Sequence, residues 1–150
     1  MIKKIIFLLL ILTLANCDYK PIYTNNNADK LIINEYQLIG DKHINRKIIS
    51  LLNFREDKSN NSNYVVTLTS LKTIDAVAKD KTGKTSVFKT NVTINIKLNK
   101  NNNLIKEKSF TANYTYNNSG NKFDLMQYQK NVENNLVNKL SEEIIIFLNT

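Results

Sequence analysis

The 150-residue chain has one cysteine, one histidine, one proline and three glycines, and its only arginines are Arg46 and Arg55. A single cysteine leaves no partner for an internal disulfide. With His43 the sole histidine, neither a histidine-based metal cluster nor a Cys-His catalytic pair can be assembled. Two arginines against 19 lysines remove the side chains that read bases and phosphates with two parallel hydrogen bonds. The formal charge of +8 is therefore weak support for a nucleic-acid partner. The chain also carries 25 Asn and 18 Ile, a bias that AT-rich codons produce, and the lysines belong to the same bias. No apolar run approaches the ~20 residues of a membrane-spanning helix.

What is present begins with Lys3 and Lys4, an apolar run from Ile5 to Leu14, and the sequence Leu14-Ala15-Asn16-Cys17. A charged start, a short apolar core and a cysteine where that core ends form the layout of a lipoprotein signal peptide. Residues 1–16 are thus expected to be removed, and Cys17 to be acylated (palmitate or a similar chain). Two features depart from the usual pattern: Asn16 is bulkier than the residue signal peptidases favour, and Asp18 follows the cysteine. Each buried CH2 of an acyl chain contributes about 0.8 kcal/mol, so more than one chain anchors a protein stably. Removing Lys3 and Lys4 lowers the formal charge from +8 to +6. The remaining 134 residues suit one domain with one core. Residues 17–30 read as a lipidated N-terminus and polar linker, with Pro21 holding Lys20-Pro21-Ile22-Tyr23 extended. Residues 31–150 read as the domain.

Within that domain, Leu31 to Ile39 is rich in Ile, Leu and Tyr and predicts a strand ended by Gly40. Asp41 can cap a helix reaching Leu52, with Ile44, Ile48, Leu51 and Leu52 at helical spacing. Arg55 to Asn63 reads as a loop. From Tyr64 the period becomes two: Val66 and Leu68 alternate with threonines, an irregularity at Ser70-Leu71 suggests a bulge, and Ile74, Ala76 and Ala78 continue the run. Lys79 to Lys84 is a turn. Phe88, Val92, Ile94, Ile96 and Leu98 then alternate with polar residues, predicting a strand with one buried and one wet face. Asn99 to Asn103 makes a second turn, and Leu104 to Tyr116 a third strand with Phe110, Ala112, Tyr114 and Tyr116 on one side. After the polar break Asn117 to Lys122, Asp124 is expected to cap a long helix. Its stripe is Tyr128, Val132, Leu136, Leu140, Ile144 and Phe147, widened by Leu125, Val137 and Leu148. The expected fold is an α+β two-layer sandwich in the order β-α-β-β-β-α, a mostly antiparallel sheet with two helices on one face.

The run Cys17-Asp18-Tyr19-Lys20-Pro21-Ile22-Tyr23 resembles the mature start of the lipopolysaccharide-assembly lipoproteins (the LptE family), particularly alphaproteobacterial members, in which Cys-Gly-[Phe/Tyr]-[Arg/Lys]-Pro-Leu-Tyr is usual. Asp18 stands where those members have glycine. The element order, the hairpin around Ala78-Lys79-Asp80-Lys81-Thr82-Gly83 and Asn113-Tyr114-Thr115-Tyr116 before the last helix extend the likeness along the chain. The resemblance implies a non-enzymatic protein without cofactor. It would be a plug and assembly partner of the outer-membrane β-barrel LptD that helps deliver lipopolysaccharide to the outer leaflet. Under that reading Lys79, Lys81 and Lys84 are candidates to meet lipid A phosphates, with a solvated turn as the plain alternative. Tyr114 and Tyr116 would touch the barrel or simply fill the core.

Catalytic readings fare poorly. Gly83-Lys84-Thr85 echoes the end of a P-loop, but the first glycine would have to be Ala78 and a strand follows instead of a helix. His43, in the first turn of a helix, reads as a surface residue. Glu142 and Glu143 are neighbours that point in different directions, a poor acid/base pair. The sequons Asn60-Asn61-Ser62, Asn91-Val92-Thr93, Asn113-Tyr114-Thr115 and Asn117-Asn118-Ser119 are expected by chance in so asparagine-rich a chain. Three classes remain: a barrel plug, a periplasm-facing accessory lipoprotein of another lipid transporter, and a small anchored hydrolase using two distant carboxylates. Asp18 bears on the first two, because aspartate after a lipidated cysteine retains some bacterial lipoproteins in the inner membrane.

Overall fold

The computed structural model describes residues 31–149 apart from positions 60 and 62. The signal peptide, the acylation of Cys17 and the 17–30 linker all lie outside the described residues. The elements are β1 (Ile32–Ile33), β2 (Glu35–Gly40), α1 (Lys42–Leu52), β3 (Arg55–Glu56), β4 (Tyr64–Lys79), β5 (Thr85–Lys100), β6 (Asn103–Asn117) and α2 (Lys122–Asn149). The main sheet has the order β2-β4-β5-β6, with β2 parallel to β4 and the other neighbours antiparallel. Both helices cover one face and pack against each other, α1 over β2 and β4 and α2 over β5 and β6. This is the expected α+β sandwich.

The core follows from the alternation. Val66 and Leu68 face Leu98 and Ile96 across β4 and β5, while Ile94 and Val92 face Phe110 and Ala112 across β5 and β6. All eight are buried beneath Ile44, Ile48, Leu52, Val132, Leu136, Val137, Leu140, Ile144 and Leu148 of the helices. Element lengths decide where cover ends. Eleven residues of α1 span about 16 Å, whereas the 16 residues of β4 run about 50 Å. The distal half of β4 therefore has no helix of its own above it, and Ile74 is left exposed although it lies on the inner face.

Several expectations change in detail. The first strand breaks at Asn34, whose Oδ1 accepts from the Tyr64 N–H at 2.9 Å, so β1 and β2 pair with different partners. Part of the expected 55–63 loop is β3, which pairs with β1. There is no bulge at Ser70-Leu71: pairing with β5 runs unbroken from Tyr64 to Ala76 and shifts only around Ala78. The apparent irregularity arises because Ser70 and Lys72 occupy inner-face positions as polar residues. Leu51, expected on the buried stripe, is 40% exposed, and Asn45 is buried in its helix instead. Asp124 does not cap α2. Asn121 Oδ1 accepts from Phe123 N–H at 2.9 Å, which leaves Asp124 in the first turn, where its charge suits the helix dipole.

Candidate functional site

Two exposed regions and one polar cluster stand out. At the β4–β5 hairpin tip, the Asp80 carboxylate accepts from Thr82 N–H at 2.8 Å, the Thr82 hydroxyl at 2.7 Å and Lys84 N–H at 3.0 Å. The Thr82 hydroxyl is the chief reason that the Asp80 carboxyl titrates below its usual range. Gly83 completes the turn at φ +81°, where its N–H donates to the Asp80 carbonyl. Lys79, Lys81 and Lys84 are all exposed on this ordered turn, so the structure groups the three lysines singled out from the sequence.

At the distal end of β6, a hollow of about 490 Å³ is lined by Tyr114, Thr115, Tyr116, Asn117, Ser119, Asp124 and Tyr128. Tyr116 is its buried floor: its hydroxyl lies 3.0 Å from Thr90 Oγ1, and its ring stacks on Phe88 with centroids 6.0 Å apart. Tyr128 meets Tyr116 edge-on at 5.4 Å. Tyr114 stacks on Tyr116 but is 50% exposed, so the two tyrosines divide into one core residue and one surface residue. The neighbouring Tyr114 hydroxyl pushes the Tyr128 phenol upward. Phe123 and Met126 are also exposed in the first turns of α2.

The polar cluster joins three elements. Glu133 of α2 is buried and accepts from Lys72 Nζ of β4 at 2.6 Å, and His43 Nδ1 of α1 lies 3.1 Å from its other oxygen. Its spacing one turn before Val137, on the buried stripe of α2, was the available sequence signal. The His43 ring remains 64% exposed, as read from the sequence. Glu142 and Glu143 are exposed. Among the described residues no group of three His, Cys, Asp or Glu can hold a metal, and three surface hollows contain one carboxylate each (Glu35, Asp124 or Glu133).

The opposite, helix-free face of the sheet is mainly polar, with Thr67 and Thr69, Asn91, Thr93 and Asn95, and Thr111, Asn113 and Thr115, interrupted by the exposed Leu71 opposite Thr93 and Ile39 beside Thr69. Asn91 Nδ2 donates to Asp75 Oδ2 at 2.7 Å, and Thr93 and Thr111 hydroxyls lie 3.2 Å apart, so the face is knit by side-chain hydrogen bonds.

No protein-family model matches the chain, and no curated protein sequence matches it significantly. Solved structures do. A minor lipoprotein from Acinetobacter baumannii superposes with a TM-score of 0.62 at 11% identity, over 78% of this chain and 89% of that one. The rare lipoprotein B from Shewanella oneidensis gives 0.56 at 11% identity, over 77% and 93%. Lipoprotein B from Nitrosomonas europaea gives 0.53 at 8% identity, over 81% and 87%. At these identities the shared property is the fold, and it spans most of each chain.

Proposed function

We propose that this chain is a non-enzymatic lipoprotein, held by acylated Cys17 on the periplasmic side of the outer membrane. There it plugs and helps assemble an LptD-type β-barrel that delivers lipopolysaccharide to the outer leaflet. The observation that carries the reading is the helix-free sheet face, polar along β5 and β6 and along β4 apart from the exposed Leu71. A large barrel has a polar interior, and a rigid sheet bearing Thr and Asn side chains is a surface such a lumen can enclose. Supporting it are the lipobox at Leu14 to Cys17, the resemblance of Cys17 to Tyr23 to the LptE family, and a fold shared with several bacterial lipoproteins.

The test is extraction of tagged full-length chain from fractionated membranes. A one-to-one complex with a β-barrel in the outer-membrane fraction is the expected result. Recovery from the inner membrane without a barrel would overturn the reading. In that second outcome Asp18 would act as a retention signal, and the chain would be a periplasm-facing accessory lipoprotein of another lipid transporter.

A further inference from the structure

Beyond Ser70, where β2 ends, the inner face of the sheet is covered unevenly. Ile74, Thr90 and Tyr114 form one row in register across β4, β5 and β6. Only the first turns of α2 lie above it. Thr90 in the middle is buried, whereas Ile74 and Tyr114 at the two ends are open. A hollow remains on each side of the helix: the one lined by Tyr114 and Tyr128, and a smaller one of about 180 Å³ lined by Ile74 and Met126. Phe123 and Met126, three positions apart on one side of α2, are 73% and 68% exposed, the highest values among the large apolar residues described. Val77 is open as well. Lysines surround this patch: Lys79, Lys81 and Lys84 on the hairpin tip, and Lys122 and Lys130 one turn either side of Met126, all exposed. Three carboxylates share this end. Asp80 already accepts from Thr82 and the Lys84 N–H, Asp75 sits opposite Lys89 on the other face of the sheet, and Asp124 lies in the first turn of α2.

We propose that this end of the domain is a membrane-docking surface for an anionic phospholipid leaflet, with Phe123 and Met126 entering the acyl boundary and the hairpin lysines meeting lipid phosphates. An exposed apolar patch with a polar rim marks a contact surface. The chemistry of the rim selects the contact. Apolar side chains flanked by lysine match the two layers of a leaflet, acyl chains below and phosphates at the surface, and each lysine near an anionic leaflet adds to the attraction. A second copy docked tip to tip would instead set the same lysines against one another. The surface takes from the proposed function only that the chain is held at a membrane, and it needs no barrel.

The test uses the full-length chain, purified from membranes and reconstituted into barrel-free vesicles. An environment-sensitive fluorophore is placed on Phe123→Cys and, as a distant control, on Ile146→Cys. Both residues are exposed, and they lie about 35 Å apart along α2. The unsubstituted chain accounts for any label on Cys17. In vesicles containing phosphatidylglycerol, the Phe123→Cys label should shift to the blue and be quenched by nitroxide-bearing lipids, and the Ile146→Cys label should do neither. Adding Lys79→Gln, Lys81→Gln and Lys84→Gln should return the emission to its position in pure phosphatidylcholine, while the chain still sediments with the vesicles through its anchor. Equal quenching at both positions, none at Phe123→Cys, or the same signal in phosphatidylcholine alone would overturn the proposal. So would a blue shift without nitroxide quenching, which would place the tip against a second copy. A chain that sediments with no vesicle would refute the membrane-held reading and this surface together. The barrel reading stands or falls separately, on co-extraction.

Discussion

Gly40 and Ser70 meet backbone to backbone: at φ +90°, Gly40 lies so near Ser70 that an added Cβ would run into the Ser70 carbonyl oxygen. The approach lets Asp41 N–H donate to that carbonyl at 3.2 Å, while Ser70 Oγ donates to the Asp41 carbonyl at 3.2 Å. Asp41 is thereby fixed where its carboxylate caps α1, accepting from His43 N–H at 2.9 Å and Ile44 N–H at 3.1 Å. One close contact thus places the whole α1 layer.

Gly40→Ala should therefore cost about 3 kcal/mol or more, combining left-handed strain with displacement of β4. Gly83→Ala is the matched comparison. It has a similar positive φ but open space around the new methyl, so only the strain of about 1–2 kcal/mol is expected. Urea denaturation of the two variants checks this, and equal losses would mean that the Ser70 contact is not the constraint.

The Glu133 cluster predicts an order of effects. Lys72→Ala removes the shorter contact and leaves a buried carboxylate with only His43 beside it, so a loss of about 1–3 kcal/mol is expected. His43→Ala removes a mostly exposed ring and should cost less than about 0.5 kcal/mol. Glu133→Leu should recover part of the loss in the Lys72→Ala background, because it removes the uncompensated charge. Thermal melts of the single and double variants measure the coupling.

The architecture was legible because both signals behind it are periodic. Val92 to Leu98 alternates without error, and Val132 to Leu148 repeats at helical spacing, so layers and order could be read directly. What escaped was the inner-face polar set. Ser70, Lys72, Asn45 and Glu133 interrupt apolar patterns; Ser70 is held by Asp41 and Lys72 and Glu133 by each other, partners distant in sequence, while Asn45 reaches back across the α1 cap to the Ile39 carbonyl. Local pattern cannot supply such partners, which is why Ser70 looked like a bulge. The cap of α2 was misplaced for a simpler reason, since Asn121 and Asp124 are both good capping residues three positions apart. The hairpin lysines were legible as a group because a turn gathers whatever flanks it.

Tyr36 gives a pH-dependent prediction. Its hydroxyl has no hydrogen-bond partner among the described residues, and burial, aided by Glu56, pushes its phenol up to about 12. In the unfolded chain a tyrosine ionises near 10, so between about pH 10 and 12 the unfolded state holds fewer protons and stability falls as pH rises. Tyr36→Phe should be neutral or stabilising by up to about 1 kcal/mol at pH 7, since it removes a buried unsatisfied group. Above pH 10 the gap between variant and parent should widen. A gap that stays constant up to pH 12 would show that the ring is solvated.

Under the proposed role, the hairpin lysines should carry a local share of lipopolysaccharide affinity. Each cation near an anionic lipid surface contributes about 1 kcal/mol, so the triple variant Lys79→Gln, Lys81→Gln, Lys84→Gln should bind lipopolysaccharide vesicles roughly 100-fold more weakly at low salt. The difference should shrink as ionic strength rises and the Debye length shortens. Lys42→Gln, Lys58→Gln and Lys139→Gln together change net charge equally without touching the tip, and should weaken binding far less. Co-sedimentation at two salt concentrations separates the cases. If both triple variants lose affinity alike, the basic charge acts as a diffuse field and the tip holds no phosphate site.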